Sequence, residues 1–171
     1  ELMPDSYQIV KDLLEENGKL IGYITGYQIF NELGLTTQVS AILQIGTIKD
    51  KKNTKRGYYR IKFVKQWNTI TKGNIPLLQL LDCLRFFKKI PDTTPTESCR
   101  RLLYLLSKLN ENEKSKIKKL VLKYTPQAIA LLGAMLETLN PNEDVEMLRK
   151  SLNFQTFYDL SIPHEVLSTQ K

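Results

Sequence analysis

The sequence predicts an α+β chain, with a small N-terminal region of short helices and a β-hairpin followed by a C-terminal bundle of about four helices. Between residues 39 and 65, apolar and polar residues alternate with a period of two, which is typical of strands. After Trp67, leucines recur at helical spacing up to residue 139. We therefore expect a mixed α/β region at 1–70, a helical bundle at 71–140, and a tail at 141–171 that packs on the bundle or on a partner.

The N-terminal region begins with a short apolar helix, which we expect Gly18 to end. A second short helix is predicted to open at Thr25 or Gly26 and to end at Gly34. Residues 39–48 and 58–65 are predicted to be the two strands of a β-hairpin with a long basic tip. In the second strand, the alternation places Arg60 on the face opposite the apolar side chains.

Four helices are predicted between residues 75 and 139. They cover about 75–87 and 97–109, then a segment from a capping box at Asn110 and Glu113 to 124, then a helix with Thr125 as cap and Pro126 in its first turn. The last helix is apolar almost all round, so we place it at the centre of the bundle. The pattern at 145–148 predicts a further helix, and the apolar residues of the tail after it are Phe154, Phe157, Tyr158, Leu160 and Ile162.

The net charge of +7 lies in one short stretch of the 171-residue chain. Residues 49–66 contain eight basic side chains and one acid, Asp50, so this segment alone carries the entire excess. Basic side chains neutralise phosphates, and exposed aromatic rings such as Tyr58 stack on bases. The candidate nucleic-acid-binding residues are Lys49, Lys51, Lys52, Lys55, Arg56, Arg60, Lys62 and Lys65. The alternatives are lysines that protect an edge strand from aggregation, or a surface for an acidic protein.

No catalytic or metal-binding constellation is evident. The single histidine, His164, lies far from Cys83 and Cys99, and no phosphate-binding glycine motif is present. The two cysteines are expected to be buried free thiols, and Asp82 and Glu97 are expected to be solvated carboxylates. We therefore expect no enzymatic activity, no metal and no cofactor.

The longest apolar run is far shorter than the roughly 20 residues that span a bilayer, and the N-terminus does not resemble a signal peptide. We therefore expect a cytoplasmic chain without a membrane partner. Because the sequence begins without methionine, we also expect it to be part of a longer chain.

Three blocks of the sequence together carry a resemblance to a known family. The first block contains GYITG at 22–26 and NELGLTTQV at 31–39, and the run at 34–39 is its most specific part. The second contains NIPLLQLLD at 74–82 and IPDT at 90–93. The third contains YTP at 124–126 and ALLGAMLE at 130–137. Together these blocks resemble the AbiEi-like antitoxins of abortive-infection, type IV toxin–antitoxin systems, closest to a branch common in Bacteroidetes.

The resemblance implies a non-enzymatic antitoxin and transcriptional regulator that lacks its N-terminal winged helix. In such a protein the winged helix binds operator DNA, and the part that this chain resembles neutralises a nucleotidyltransferase-type toxin. Two other functions remain open from the residues themselves. One is an accessory nucleic-acid-binding domain that uses the basic hairpin, and the other is a protein-interaction module whose apolar tail docks on a partner.

Overall fold

The computed structural model describes residues 5–152, and in this range the chain has the predicted mixed α+β architecture with strands first and helices after them. The chain divides into two compact units, Glu1–Gln79 and Leu80–Lys171, so that the boundary lies inside one helix. The predicted division into regions 1–70, 71–140 and 141–171 stays a prediction.

The chain begins with two short helices, α1 (Ser6–Ile9) and α2 (Lys11–Leu14), and a small hairpin of β1 (Glu15–Glu16) and β2 (Lys19–Leu20). The prediction that Gly18 ends a helix was wrong. Asn17 and Gly18 both have positive φ, 53° and 76°, and together form the two-residue turn of the hairpin. Asn-Gly is the most favoured pair for such a turn, because both residues tolerate the left-handed region.

The main sheet has four strands in the order β3 (Gly22–Thr25), β4 (Ile42–Thr47), β6 (Tyr59–Lys65) and β5 (Thr54–Arg56). Helix α3 (Tyr27–Glu32) follows β3 and packs on β3 and β4, with Gly26 as its N-cap and Gly34 just beyond its end, as predicted.

The predicted hairpin of residues 39–48 and 58–65 was wrong in its pairing. Strands β4 and β6 are parallel, with Ile42 opposite Arg60 and Thr47 opposite Lys65. Parallel neighbours require a crossover, and the basic segment supplies it. After β4 the chain crosses to the sheet edge, runs back as β5, and turns at Gly57 into β6, which lies between β4 and β5.

The two-residue turn at Gly57 and Tyr58 closes the true hairpin, β5–β6. Gly57 has φ 58°, while Tyr58 is not among the residues with positive φ. Glycine at the first central position with only that φ positive is the arrangement of a type II′ turn, whose twist matches the flanking strands. The turn therefore fixes the register, with Arg56 opposite Tyr59 and Lys55 opposite Arg60.

One face of the sheet carries the core of the first unit. Leu43, Ile45 and Ile61 are fully buried there, and Ile24 and Tyr59 share the same face through the strand register. We call it the core face. On the opposite face of β6, Arg60 and Lys62 are exposed, so the predicted alternation of this strand is confirmed.

The second unit contains the helices that the sequence predicts. Helix α4 (Ile75–Arg85) begins in the first unit, and it is followed by α5 (Pro95–Ser107), α6 (Glu111–Leu120), α7 (Pro126–Leu139) and α8 (Glu146–Ser151). The capping box of Asn110 and Glu113 and the cap at Thr125 are both present. Single turns of 3₁₀ helix follow α4 at Phe87–Lys89 and α6 at Val121–Lys123.

Helix α8 packs on α7. A β-carbon added at Gly133 of α7 would stand 3.7 Å from Leu148 of α8, an ordinary van der Waals contact. The apolar tail residues Phe154, Phe157, Tyr158, Leu160 and Ile162 lie outside the described residues, as does His164. No helix between residues 5 and 152 is long and apolar enough to cross a membrane.

The interior of the second unit holds one polar pair that the sequence analysis placed at the surface. Asp82 is only 1% exposed, and its Oδ1 accepts a 2.7 Å hydrogen bond from the Tyr124 hydroxyl. The expectation of a solvated Asp82 was wrong, because its helix is buried on the face that Asp82 shares with leucines. Glu97, in contrast, is exposed and pairs with Arg100, as expected.

Candidate nucleic-acid interface

The eight basic residues of the crossover segment do not form one continuous surface. The structure divides them according to the side chains that surround them. Four have partners within the first unit, and these are Lys49, Lys51, Arg56 and Lys65. The other four are exposed and form no ion pair within residues 5–152, and these are Lys52, Lys55, Arg60 and Lys62.

Arg56 is the most strongly held of the paired set. Its Nη1 and Nη2 reach both oxygens of the Asp12 carboxylate, with Nη2 at 2.8 Å from Oδ2, and Nη1 also donates to the Ile9 carbonyl at 3.0 Å. The hydrogen bond from Arg56 is the main cause that lowers the pKa of Asp12 below its usual 3.8, and the pKa of Arg56 is raised in turn. Arg56 is therefore not a free residue of a basic tip, as the sequence suggested.

The other three members of the paired set lie in weaker contacts. Lys49 Nζ is 2.8 Å from a carboxylate oxygen of Glu16, and its hydrogen bond lowers the pKa of that carboxyl. Lys65 donates to the Ile48 carbonyl at 3.1 Å and lies 3.6 Å from Asp50. Lys51 Nζ lies 5.9 Å from the centre of the Phe63 ring, within the range of a cation–π contact.

The unpaired set has its centre on the hairpin β5–β6. Lys55 and Arg60 are directly opposite each other in the antiparallel register, and Lys62 follows two residues along β6 on the same side. We call these three residues the basic face. Directly opposed side chains have β-carbons about 5 Å apart, and residues two apart along a strand lie about 7 Å apart. Three cations therefore lie within one small area.

Nothing acidic lies beside the basic face in the strand register. On β4, the residues opposite Arg60 and Lys62 are Ile42 and Gln44, which are both neutral. Like charges that face each other across a strand pair destabilise a sheet by a few tenths of a kcal/mol to about 1 kcal/mol. An anion bound at the basic face would relieve this repulsion, so the arrangement favours an anionic ligand.

Two exposed aromatic side chains flank β6. Tyr58 precedes it in the turn and is 75% exposed, and Trp67 follows it and is 48% exposed. Large aromatic rings are usually buried at least in part, so their exposure at both ends of a basic strand adds stacking surface to charge.

The described residues offer no comparable site for catalysis. Cys83 and Cys99 are buried free thiols, and burial raises the pKa of both. Within residues 5–152, no three histidine, cysteine or acidic side chains come together as metal ligands would. A cavity of about 290 Å³ beside Tyr27 and Asn31 is lined by a single carboxylate, Asp5, and by no histidine or cysteine.

The partners of Lys49 and Arg56 were missed in the sequence analysis. Asp12 and Glu16 lie more than thirty residues before them, in the acidic N-terminal segment. The only signal was the balance of charge, because acids outnumber bases in the rest of the first unit.

No protein-family model, curated protein or solved structure matches this chain.

Proposed function

We propose that this chain is a non-enzymatic module that binds the phosphate backbone of nucleic acid through the basic face. The observation that carries the proposal is the direct opposition of Lys55 and Arg60, two exposed cations with no carboxylate beside them in the register. Lys62 and Lys52 add two further exposed cations in the same hairpin and crossover. Cations of this kind release condensed counterions when they meet phosphates, which gives affinity without sequence preference.

The salt dependence of binding tests the proposal. If the four unpaired cations each neutralise one phosphate, the log–log slope of affinity against salt on duplex DNA is about −3.6, at −0.9 per phosphate. Replacing Lys55, Arg60 and Lys62 with Gln removes three phosphate contacts, so we expect the salt dependence to become shallower, with a slope of about −0.9. Circular dichroism and thermal melting should show an intact fold, because exposed charges contribute little to stability.

A matched control separates the basic face from bulk charge. The double variant Lys49→Gln and Lys65→Gln removes two cations that already have partners, so we expect the slope to change little. The proposal fails if the triple variant keeps the slope of the parent chain, or if the control variant loses as much slope per cation as the triple variant does.

The antitoxin function is the second candidate, and the sequence blocks at 22–39, 74–93 and 124–137 favour it. The most specific run, at 34–39, follows α3 and is stabilised by hydrogen bonds from the Asn31 side chain. Gly34 has φ 75°, and the Asn31 side chain donates to the Thr36 carbonyl at 3.4 Å and to the Gln38 carbonyl at 3.2 Å. On this proposal the chain is cytoplasmic and acts against a nucleotidyltransferase-type toxin, while an N-terminal winged helix recognises operator DNA.

Co-expression tests the antitoxin proposal. A nucleotidyltransferase-type toxin of such a system, placed under an inducible promoter, should stop growth, and this chain should restore it. The basic-face triple variant shows whether rescue depends on phosphate binding. Growth arrest that persists at full expression of the folded chain would count against an antitoxin role for residues 1–171.

A further inference from the structure

The ring of Tyr58 has no partner in the part of the chain that the structure describes. It stands in the two-residue turn of the β5–β6 hairpin and is 75% exposed, the highest exposure of any large hydrophobic side chain described. Its hydroxyl and ring make no hydrogen bond or ring contact to residues 5–152. The conformation of the turn is favoured by its sequence, because Gly57 occupies the one position that requires a positive φ.

The turn places this ring next to the basic face. The pair Arg56–Tyr59 closes the hairpin, and the pair Lys55–Arg60 follows it immediately. Tyr58 is therefore only two residues from Arg60 along the chain and three from Lys55. Arg56 beside it is engaged with Asp12, so Lys55 and Arg60 are the cations without an ion pair that lie nearest to Tyr58 in the register.

We propose that this surface binds single-stranded nucleic acid, with phosphates on Lys55, Arg60 and Lys62 and an unstacked base on the Tyr58 ring. The inference rests on the proposed function and adds the strand class. An aromatic ring gains stacking energy only from a base whose face is free. In a duplex those faces are covered by neighbouring base pairs, so the exposed ring favours a single strand.

The width of the sheet argues in the same direction. A two-stranded ribbon enters the major groove of duplex DNA, which is about 12 Å wide. Here β6 pairs with β4 on one side and with β5 on the other, in a sheet of four strands. With strands about 4.8 Å apart, the outer strands are about 14 Å apart before side chains are counted. The whole sheet is therefore too wide to enter the groove as a two-stranded ribbon does, and its exposed residues lie on β5 and β6, because all four residues of β3 are buried.

The experiment compares a single-stranded oligothymidine of about 12 nucleotides with a duplex of the same length, measured by fluorescence anisotropy on the whole chain. Stacking of one base corresponds to roughly a 5- to 150-fold change in affinity. We expect Tyr58→Ala to weaken single-strand binding by that factor and to leave duplex binding unchanged. The single-strand salt slope should stay near −2.8 for four phosphates, because stacking releases no counterions.

Two further variants make the result specific. Tyr58→Phe keeps the ring and should bind as the parent chain does. Tyr104→Ala removes another exposed tyrosine, on α5, whose ring already has Arg101 at 5.1 Å and Lys108 at 5.0 Å, and it should change nothing. The inference is overturned if Tyr58→Ala binds the single strand as the parent does, or if it weakens both ligands equally. Binding to the duplex alone also overturns it, while the proposed function stands. A parent chain that binds neither ligand refutes both.

Discussion

Neighbouring cations of the crossover segment differ in their surroundings, although they belong to the same residue types and the same 18 residues. Arg56 lies on the core face with Tyr59 and reaches Asp12, while Lys55, one residue earlier, lies on the opposite face with Arg60. Strand alternation therefore separates a cation that stabilises the fold from one that is available to a ligand. The density of charge in the sequence is the same for both, and only the register distinguishes them.

In the second unit, a carboxylate pairs with two lysines that are partly shielded from water. Glu143 is 9% exposed, and Lys118 and Lys114 reach it at 2.7 and 3.5 Å. Lys118 is 14% exposed and also donates to the Asp144 carbonyl. Pairs that are shielded from solvent are worth more than exposed ones, so a graded series of effects is expected across the molecule.

The largest effect is expected at the shielded pair. Glu143→Ala leaves Lys118 without its carboxylate, while Lys114 keeps Glu111 at 2.6 Å, and we expect it to lower the free energy of unfolding by about 2–3 kcal/mol in urea denaturation. The hydrogen bond from Lys118 lowers the pKa of Glu143 below 4.5. The ion pair therefore stabilises the fold above pH 4.5, and this stabilisation is lost as the pH falls through the lowered pKa. In Glu143→Gln, the free energy of unfolding should therefore decline less steeply at low pH than in the parent chain. A variant as stable as the parent would show that the pair contributes nothing.

A smaller loss is expected at Arg56. The variant Arg56→Glu places a second carboxylate beside Asp12 and removes the bond to the Ile9 carbonyl. Because Asp12 is largely exposed, we expect a loss of only about 1–2 kcal/mol in the free energy of unfolding. The basic face is untouched, so the affinity for nucleic acid at a temperature well below the melting point should fall only by the general effect of charge. A larger loss of affinity than in the Lys55 variant would contradict the division of the two sets.

The same substitution one residue earlier is expected to act with the opposite sign. Lys55→Glu replaces a repulsive pair by an attractive one across from Arg60, so we expect a gain of about 0.2–1 kcal/mol in stability. The substitution also removes the Lys55 cation and pairs Arg60 with a carboxylate, so two phosphate contacts are lost. The salt slope on duplex DNA should therefore become shallower by about 1.8. Thermal melting and anisotropy on one preparation measure both. A destabilised variant would show that Lys55 has a structural role.

The smallest effect is expected from the protonation of Asp12. Arg56 lowers the pKa of this carboxyl below 3.8, so the pair stabilises the fold above that pH, and the contribution is lost as pH falls through the lowered pKa. Because the carboxyl is exposed, we expect less than about 1 kcal/mol. Melting curves between pH 5 and pH 3 should show a shallower decline in Asp12→Asn than in the parent, and an identical decline in Lys55→Gln. A parent-like decline in Asp12→Asn would show that Asp12 does not contribute to the loss of stability at low pH.

The sequence predicted those features that are encoded locally. The capping box at Asn110, the cap at Thr125 and the exposure of Arg60 each depend on residues within a few positions, and all three are confirmed. The strand pairing was not predictable in the same way. Strand β5 has only three residues, Thr54–Arg56, and shows no apolar alternation, so nothing marked it as the partner of β6.

Contacts over long separations explain the other errors. Asp82 finds Tyr124 forty-two residues later, and Arg56 finds Asp12 forty-four residues earlier. No spacing in the sequence indicates such partners. For the candidate site, the segment and the outward direction of β6 were therefore predictable, while the reduction from eight cations to four required the fold.

The turn at Gly57 also bears on the order in which the chain folds. All three cations of the basic face lie between residues 55 and 62, inside one hairpin closed by two residues. Hairpins of this kind form in microseconds, whereas β4 and β6 must find each other across the whole crossover. We therefore expect the basic face to form as a local unit before the sheet is complete. On the proposed function, a polyanion present at synthesis would meet the hairpin while the edge of β6 toward β4 is still unpaired.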